Sequence, residues 1–465
     1  MYEILNIVMN SEVLLSIAVL SLVLYGINLS TLKMSIVLIF IMGIIVGVDY
    51  FNLDQVSWVG DLTNGLLITS CWTVTCKLII IIGTISILLM SVGEEIIIRP
   101  TRSAPILILI VALSSLLLVS SINWFSIYLA IELQTLTLFI LVALKRDSAY
   151  STEASLKFFV LGAVSSGLFL FGCVLLYGVT GTTSVQEINS NLTVDVGKIL
   201  VTISLLFKLS AVPFHMWAPD VYEGSPTIIT ALLTTVPKIG VFSILVQIGP
   251  VTNVVLICAV LSIVYGAIGA LNQTKVKRLL AYSGIGHMGF ILLGVAIGSF
   301  ESIQAGLIYL IVYVIMSICS FSILLSLNLT KDFLIEVKEL SRKNPVIGVT
   351  LALTFLSTAG IPPLAGFLSK WLVLLSGVSS GYYIISLIVV VSSVIAGVYY
   401  VRVVQIIYFQ VESSILIWER IFKKEREMEL SKSILIGVTF FIILFLMVSP
   451  NFLLQITHDA TISLY

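Results

Sequence analysis

The sequence predicts an all-α polytopic membrane protein with about fourteen transmembrane helices. Three observations predict it. Of 465 residues, 59% are hydrophobic and only 10% charged, whereas soluble domains carry about 25% charged residues. Apolar segments near the roughly 20 residues needed to cross a bilayer recur along the whole chain. No polar stretch between them is long enough to fold as a water-soluble catalytic domain.

The segments run over 12–29, 32–48, 78–92, 104–121, 124–144, 158–179, 199–217, 228–248, 251–271, 279–297, 303–327, 346–375, 383–408 and 434–454. The second and third are short, and each is expected to borrow a flanking lysine, Lys33 or Lys77, whose stem snorkels to the interface. The seventh contains Lys208 followed by Ala211, Val212 and Pro213. The twelfth is too long for one straight helix and contains Gly360, Ile361, Pro362 and Pro363. Proline removes a backbone donor, so spans seven and twelve are expected to be broken helices. Spans four to eight and nine to thirteen then form two five-helix repeats with one broken member each. An odd number of crossings inverts the second against the first, as in transporters with midplane sites. The expected division is 1–103, an N-terminal three-helix segment; 104–250 and 251–410, the two repeats; and 411–465, an amphipathic segment and the last span. The polar run from Glu412 to Lys432 is read as a surface helix, with partner docking as the sharper alternative.

Lys plus Arg and Asp plus Glu are 24 each. That balance leaves no basic excess for nucleic acid. Lys and Arg are nonetheless unevenly placed. Eighteen fall in or near connections after odd-numbered spans, against two, Lys77 and Lys198, on the other side. The positive-inside rule puts the odd connections in the matrix or cytoplasm and both termini opposite. The N-terminus, Met1 to Asn10, carries Glu3 and no Lys or Arg, unlike a secretory or transit peptide; if the protein works in an organelle, synthesis there is expected. Cys71, Cys76, Cys173, Cys258 and Cys319 lack the spacing of a metal or iron–sulfur site.

Four ionisable residues sit deep in apolar spans: Glu132, Lys208, Lys238 and Lys370. Each costs about 2.5–3.5 kcal/mol at mid-bilayer on the lenient insertion scale. A set of ion-pair staples is the structural alternative. The residue types point elsewhere, because Arg holds its proton while a buried Lys can release it and regain it beside a carboxylate. Glu132 beside Lys208 would act as an electrostatic gate on a proton wire, and the two are expected to meet as a pair. His215 and His287 are candidate relays. Arg402, near the end of span thirteen, reads as an interface anchor.

At these residues the sequence resembles a known family. The stretches are SIYLAIELQ (126–134), FKLSAVPFHMWAPDVYEGSPT (207–227), QTKVKRLLAYSGIGH (273–287) and AGIPPLAGFLSK (359–370). They resemble the NADH dehydrogenase subunit 2 family, antiporter-like proton-pumping subunits in the membrane arm of respiratory complex I. The resemblance implies that the family's helix-five carboxylate falls on Glu132 and its lysines on Lys208, Lys238 and Lys370. It implies neighbouring antiporter-like and other membrane-arm subunits as partners, within lipid. NADH, FMN, iron–sulfur clusters and ubiquinone would belong to partner subunits, with no cofactor or metal in this chain. A mitochondrial inner membrane is the expected location, a bacterial inner membrane the alternative. Animal members lack the first three helices, so a non-animal source is expected. Relatives often carry a second serine at position 284, where this chain has Gly284; that departure is expected to affect only packing around His287. The rival functions are a stand-alone multi-subunit cation/proton antiporter and a structural membrane scaffold.

Overall fold

A computed structural model describes residues 11–25, 31–51, 66–93, 103–145, 147–185, 195–327, 332–338, 340, 344–409 and 429–465. Its helices are α1 (Ser11–Tyr25), α2 (Thr31–Phe51), α3 (Cys71–Met90), α4 (Ala104–Ser120), α5 (Trp124–Val142), α6 (Ala149–Thr180), α7 (Asp195–Lys208), α8 (Trp217–Gly224), α9 (Thr227–Thr234), α10 (Val236–Ile248), α11 (Thr252–Ala270), α12 (Val276–Ile297), α13 (Phe300–Ser326), α14 (Pro345–Ala359), α15 (Ala365–Ser379), α16 (Tyr383–Phe409), α17 (Leu430–Phe445) and α18 (Asn451–Ile462). A 3₁₀ turn covers Leu334–Val337. Only isolated bridges represent β structure among the described residues. Helix is the local solution a bilayer enforces, because each span satisfies its own backbone donors and acceptors.

All fourteen expected spans have helical counterparts, and spans seven and twelve are broken as the prolines require. Two further breaks were not anticipated. Span eight divides at Thr235 into α9 and α10, because Pro237 offers no N–H to the preceding turn. The Thr235 hydroxyl answers by donating to the Ala231 carbonyl at 2.9 Å. The last span, read as continuous over 434–454, ends at Phe445, and α18 begins after Pro450. The expected surface helix of Glu412–Lys432 falls largely outside the described residues.

The repeats are packed around an inner set of helices. The span formed by α9 and α10 has 94% of its most apolar window buried, α13 has 89%, and α16 only 22%. So α9, α10, α12 and α13 form the centre, and α2, α6 and α16 the rim. Small residues let α11 and α12 approach closely, as membrane helix pairs do. A Cβ on Gly266 would stand 2.7 Å from the Gly286 nitrogen, and one on Gly289 2.2 Å from the Ser262 hydroxyl.

The two sides of the molecule are legible along α12. At its start, Lys275 bridges Phe333, and the Val276 N–H donates to the Asp332 carbonyl at 2.8 Å. At its end, the Tyr465 hydroxyl donates to the Gly298 carbonyl at 2.9 Å. The 332–337 segment and the C-terminus therefore lie at opposite ends of a helix of 22 residues, about 33 Å long. Arg402 donates to the Leu271 carbonyl at 2.9 Å, on the Lys275 side, as an interface anchor should.

Lys77 requires a correction. It does not snorkel. It is 3% exposed and forms an ion pair with Glu12 at 2.6 Å. Glu12 also accepts from the Ser11 and Ser120 hydroxyls at 2.8 and 2.9 Å. The pair thus ties α1, α3 and α4 together, and it removes Lys77 from the interfacial charges of the less basic side.

Candidate proton pathway

The broken helices position the lysines. In α7 the helix ends at Lys208, and Leu209 to Met216 continue irregularly. The break is stabilised locally: the Trp217 indole donates to the Phe207 carbonyl at 3.0 Å, and the Ala211 N–H to the Leu206 carbonyl at 3.0 Å. The second repeat reaches a similar arrangement by another route. Its helix α14 ends at Ala359, followed by Gly360 at φ +85°, a left-handed cap that glycine adopts without penalty. Lys370, from α15, donates to the Ala359 carbonyl at 2.7 Å. Each repeat therefore sets a lysine at the carbonyl end of the first half of its broken helix, where the helix dipole favours a cation.

Lys208 is the barest of these groups. Its ammonium is buried and has no hydrogen-bond partner. It lies beside Gly162 of α6, where a Cβ would stand 3.9 Å away in ordinary van der Waals contact. Glu132, half-buried on α5, accepts instead from the Thr135 hydroxyl at 3.2 Å. The expected contact pair is therefore not formed, because α5 and α7 hold the two groups beyond ion-pair distance. Neighbouring Gln134 is fully buried, with an unpartnered side-chain nitrogen.

Lys238, one turn into α10, is 3% exposed. Its ammonium lies 3.5 Å from the Tyr313 hydroxyl, and over the Tyr313 and Tyr222 rings at 5.4 and 5.9 Å, a cation–π setting. Gly284 is the reason this fits. A Cβ there would stand 3.0 Å from the Tyr313 hydroxyl and 3.6 Å from the Lys238 ammonium. The departure at position 284 thus bears on Lys238 and Tyr313 rather than on His287 packing alone.

His287 is buried on α12, with Nδ1 2.8 Å from the Tyr309 hydroxyl and Nε2 3.1 Å from the Tyr400 hydroxyl. Two small cavities meet at Ser283, His287 and Thr358. One extends to Lys370, Ser392 and Tyr400, the other to Tyr313, Ser317 and Thr234. The first has Ser283, His287, Thr358, Lys370 and Tyr400 in its wall and suits buried water; the second is lined mainly by apolar groups, Leu280, Met316, Phe321 and Phe355 among them. The structure therefore brings Lys238, His287 and Lys370 around one polar centre. His215 lies elsewhere, in the break after α7, with its ring edge-on to Tyr265 at 4.3 Å and Nδ1 unpartnered.

Two groups escaped the sequence reading. The tyrosines are one: Tyr309 and Tyr313 share an α13 face at i, i+4 spacing, a signal easily taken for ordinary core. The other is a charge cluster joining two of the quoted stretches. Asp220 pairs with Lys157 at 2.8 Å and Arg278 at 3.0 Å, while Glu223 pairs with Arg278 and Lys275. It links α6, α8 and the start of α12 on the more basic side.

Comparison with known proteins agrees with this architecture. Residues 121–396 match the family described as NADH:quinone oxidoreductase/Mrp antiporter, transmembrane. NADH-ubiquinone oxidoreductase chain 2 of Metridium senile is 58% identical over 377 residues, which cover 78% of this chain and 98% of that one. NADH-quinone oxidoreductase subunit N 1 of Rhizobium meliloti (strain 1021) is 37% identical over 378 residues, 76% of this chain and 78% of that one. A chain in the structure of respiratory complex I from Thermus thermophilus superposes with a TM-score of 0.84 at 24% identity, covering 96% of this chain and 99% of that chain. The Metridium relative comes from an animal, so the comparisons lend no support to a non-animal source.

Proposed function

The chain belongs to the NADH:quinone oxidoreductase/Mrp antiporter transmembrane family, and we infer from that membership that it is a proton-translocating membrane-arm subunit of NADH:ubiquinone oxidoreductase. It is a multi-pass protein of the mitochondrial inner membrane, the bacterial inner membrane being the alternative setting. Its partners are other membrane-arm subunits, including antiporter-like neighbours. NADH, FMN, iron–sulfur clusters and ubiquinone are assigned to partner subunits, where the redox energy is released. Residues 104–250 and 251–410 are read as the two halves of the transport unit.

One observation carries the assignment of the pathway. Lys208, Lys238 and Lys370 have no carboxylate within ion-pair distance among the described residues. Staples of a scaffold would be paired, as Glu12 and Lys77 are. Unpaired buried amines suit groups that give up and regain a proton. In this reading Glu132 is the gate: its charge holds the proton on Lys208, and moving or neutralising it sends the proton toward Lys238, His287 and Lys370. His215 is a further candidate relay near the first break.

Lys208→Arg tests the pathway. Arginine keeps the charge but cannot cycle its proton at working pH. The assembled complex should oxidise NADH with impaired proton transport, measured on vesicles with assembled content recorded alongside. Fully coupled transport at full assembly would show that Lys208 need not deprotonate. Copurification with flavin and iron–sulfur subunits separates this reading from a stand-alone antiporter. Orientation is tested by single cysteines at Lys338 and Tyr465. Position 338 should label from the matrix or cytoplasmic side and 465 from the other; labelling of both from one side would overturn the assignment.

A further inference from the structure

We propose that Tyr309 and Tyr400, joined through His287, form a hydroxyl–imidazole–hydroxyl relay that carries the proton between Lys238 and Lys370. The inference deepens the lysine-chain reading above and rests on it. Each ring nitrogen of His287 faces one phenol, at 2.8 Å for Tyr309 and 3.1 Å for Tyr400. A neutral imidazole has one N–H and one lone pair. With a phenol on each side, one hydroxyl donates to the lone pair while the other accepts from the N–H. The hydroxyl orientations therefore select the tautomer.

The ends of this chain point toward the two lysines. Tyr400 and Lys370 line the same cavity. On the other side, Tyr309 stands one turn from Tyr313 on α13, and the Tyr313 hydroxyl is the hydrogen-bond partner of the Lys238 ammonium. The second cavity connects Tyr313 with His287. The phenols give His287 a hydroxyl partner on each ring nitrogen, one toward each lysine.

The transfer balances. A proton released by the Lys238 ammonium forms a new O–H bond on Tyr313 as the original Tyr313 O–H breaks and its proton passes on to the Tyr309 oxygen. An O–H bond forms there as the original Tyr309 O–H breaks toward Nδ1. The Nε2–H bond breaks as a new O–H forms on Tyr400. The former Tyr400 proton leaves into the cavity and adds to the neutral Lys370 amine. One proton enters, one leaves, and no relay member keeps a charge. The imidazole tautomer and hydroxyl directions are left inverted and must reset before the next transfer. The chain works equally in reverse.

The test uses the assembled complex in vesicles, with assembled content, NADH oxidation and protons moved per NADH all recorded. The variants are Tyr309→Phe, Tyr400→Phe, His287→Gln and Lys370→Met. Phenylalanine keeps each ring and removes only the hydroxyl. Glutamine can still donate at one end and accept at the other, but cannot exchange tautomers. The relay predicts that both phenylalanine variants and His287→Gln assemble and drop to the proton yield of Lys370→Met. If they pump like the parent while Lys370→Met is impaired, the relay is wrong and the lysine pathway stands. If Lys370→Met also pumps like the parent, the lysine pathway fails and takes the relay with it. Should Tyr400→Phe not assemble, Tyr309→Phe and His287→Gln decide the question.

Discussion

Lys77→Met is expected to cost the protein about 3–5 kcal/mol, the usual penalty for removing one partner of a buried ion pair. Methionine fills the space of the lysine stem, so little packing is lost. What remains is the Glu12 carboxylate, 5% exposed, held only by the hydroxyls of Ser11 and Ser120. Two neutral donors do not replace an ammonium at 2.6 Å. The damage should appear as loss of assembled complex and a lower thermal midpoint, with α1 losing its hold on α3 and α4. The double variant Glu12→Gln/Lys77→Met removes both charges together and should recover most of the loss, since a neutral amide is far cheaper to bury than a lone carboxylate. Lys77→Met assembling at the parent level with an unchanged midpoint would mean that the pair contributes nothing to docking the N-terminal helices.

Lys238→Met should do the opposite. No carboxylate is stranded when this ammonium goes, because its neighbours are the Tyr313 hydroxyl and two aromatic faces. An apolar side chain of similar length suits that site, so assembly and thermal stability should hold or rise. Transport through this subunit should nonetheless fall about 100-fold or more, the low end of what a positioned proton-transfer group contributes. Protons moved per NADH should therefore drop while NADH oxidation continues. Normal coupling in stable Lys238→Met protein would remove Lys238 from the pathway. The two buried lysines are thus expected to contrast sharply, Lys77→Met losing stability and Lys238→Met losing transport.

Much of the architecture follows from the sequence because its cause is local. Span number depends on runs of apolar residues, and the breaks at Pro213 and Pro362-Pro363 depend on a missing donor at those positions. Even the missed break at Thr235 had its signal in Pro237. The midplane charges Glu132, Lys208, Lys238 and Lys370 were also legible, since a lysine inside an apolar span is anomalous before anything is known of its neighbours. Charge asymmetry gave the two sides, and the structure sets the 332–337 segment and Tyr465 at opposite ends of α12.

What tertiary structure alone decided is who meets whom. Lys77 and Glu12 are 65 positions apart, and His287 and Tyr400 are 113; no window on the sequence contains both members of either pair. Lys77 therefore read as a snorkelling residue, although α1, packed against α4, sets the Glu12 carboxylate beside it. Glu132 and Lys208 read as a contact pair, although the spacing of α5 and α7 keeps them apart. Tyr309, Tyr313 and Tyr400 passed without notice because a tyrosine in an apolar span is ordinary until its hydroxyl is seen to face a histidine or lysine. The sequence by itself determined the spans, the breaks at Pro213 and Pro362-Pro363 and the charges placed in lipid, since each follows from the local chemistry of residues in hydrocarbon. Only the folded chain decided which buried charges stand within ion-pair distance of a partner, since that depends on distances between helices that local chemistry does not specify.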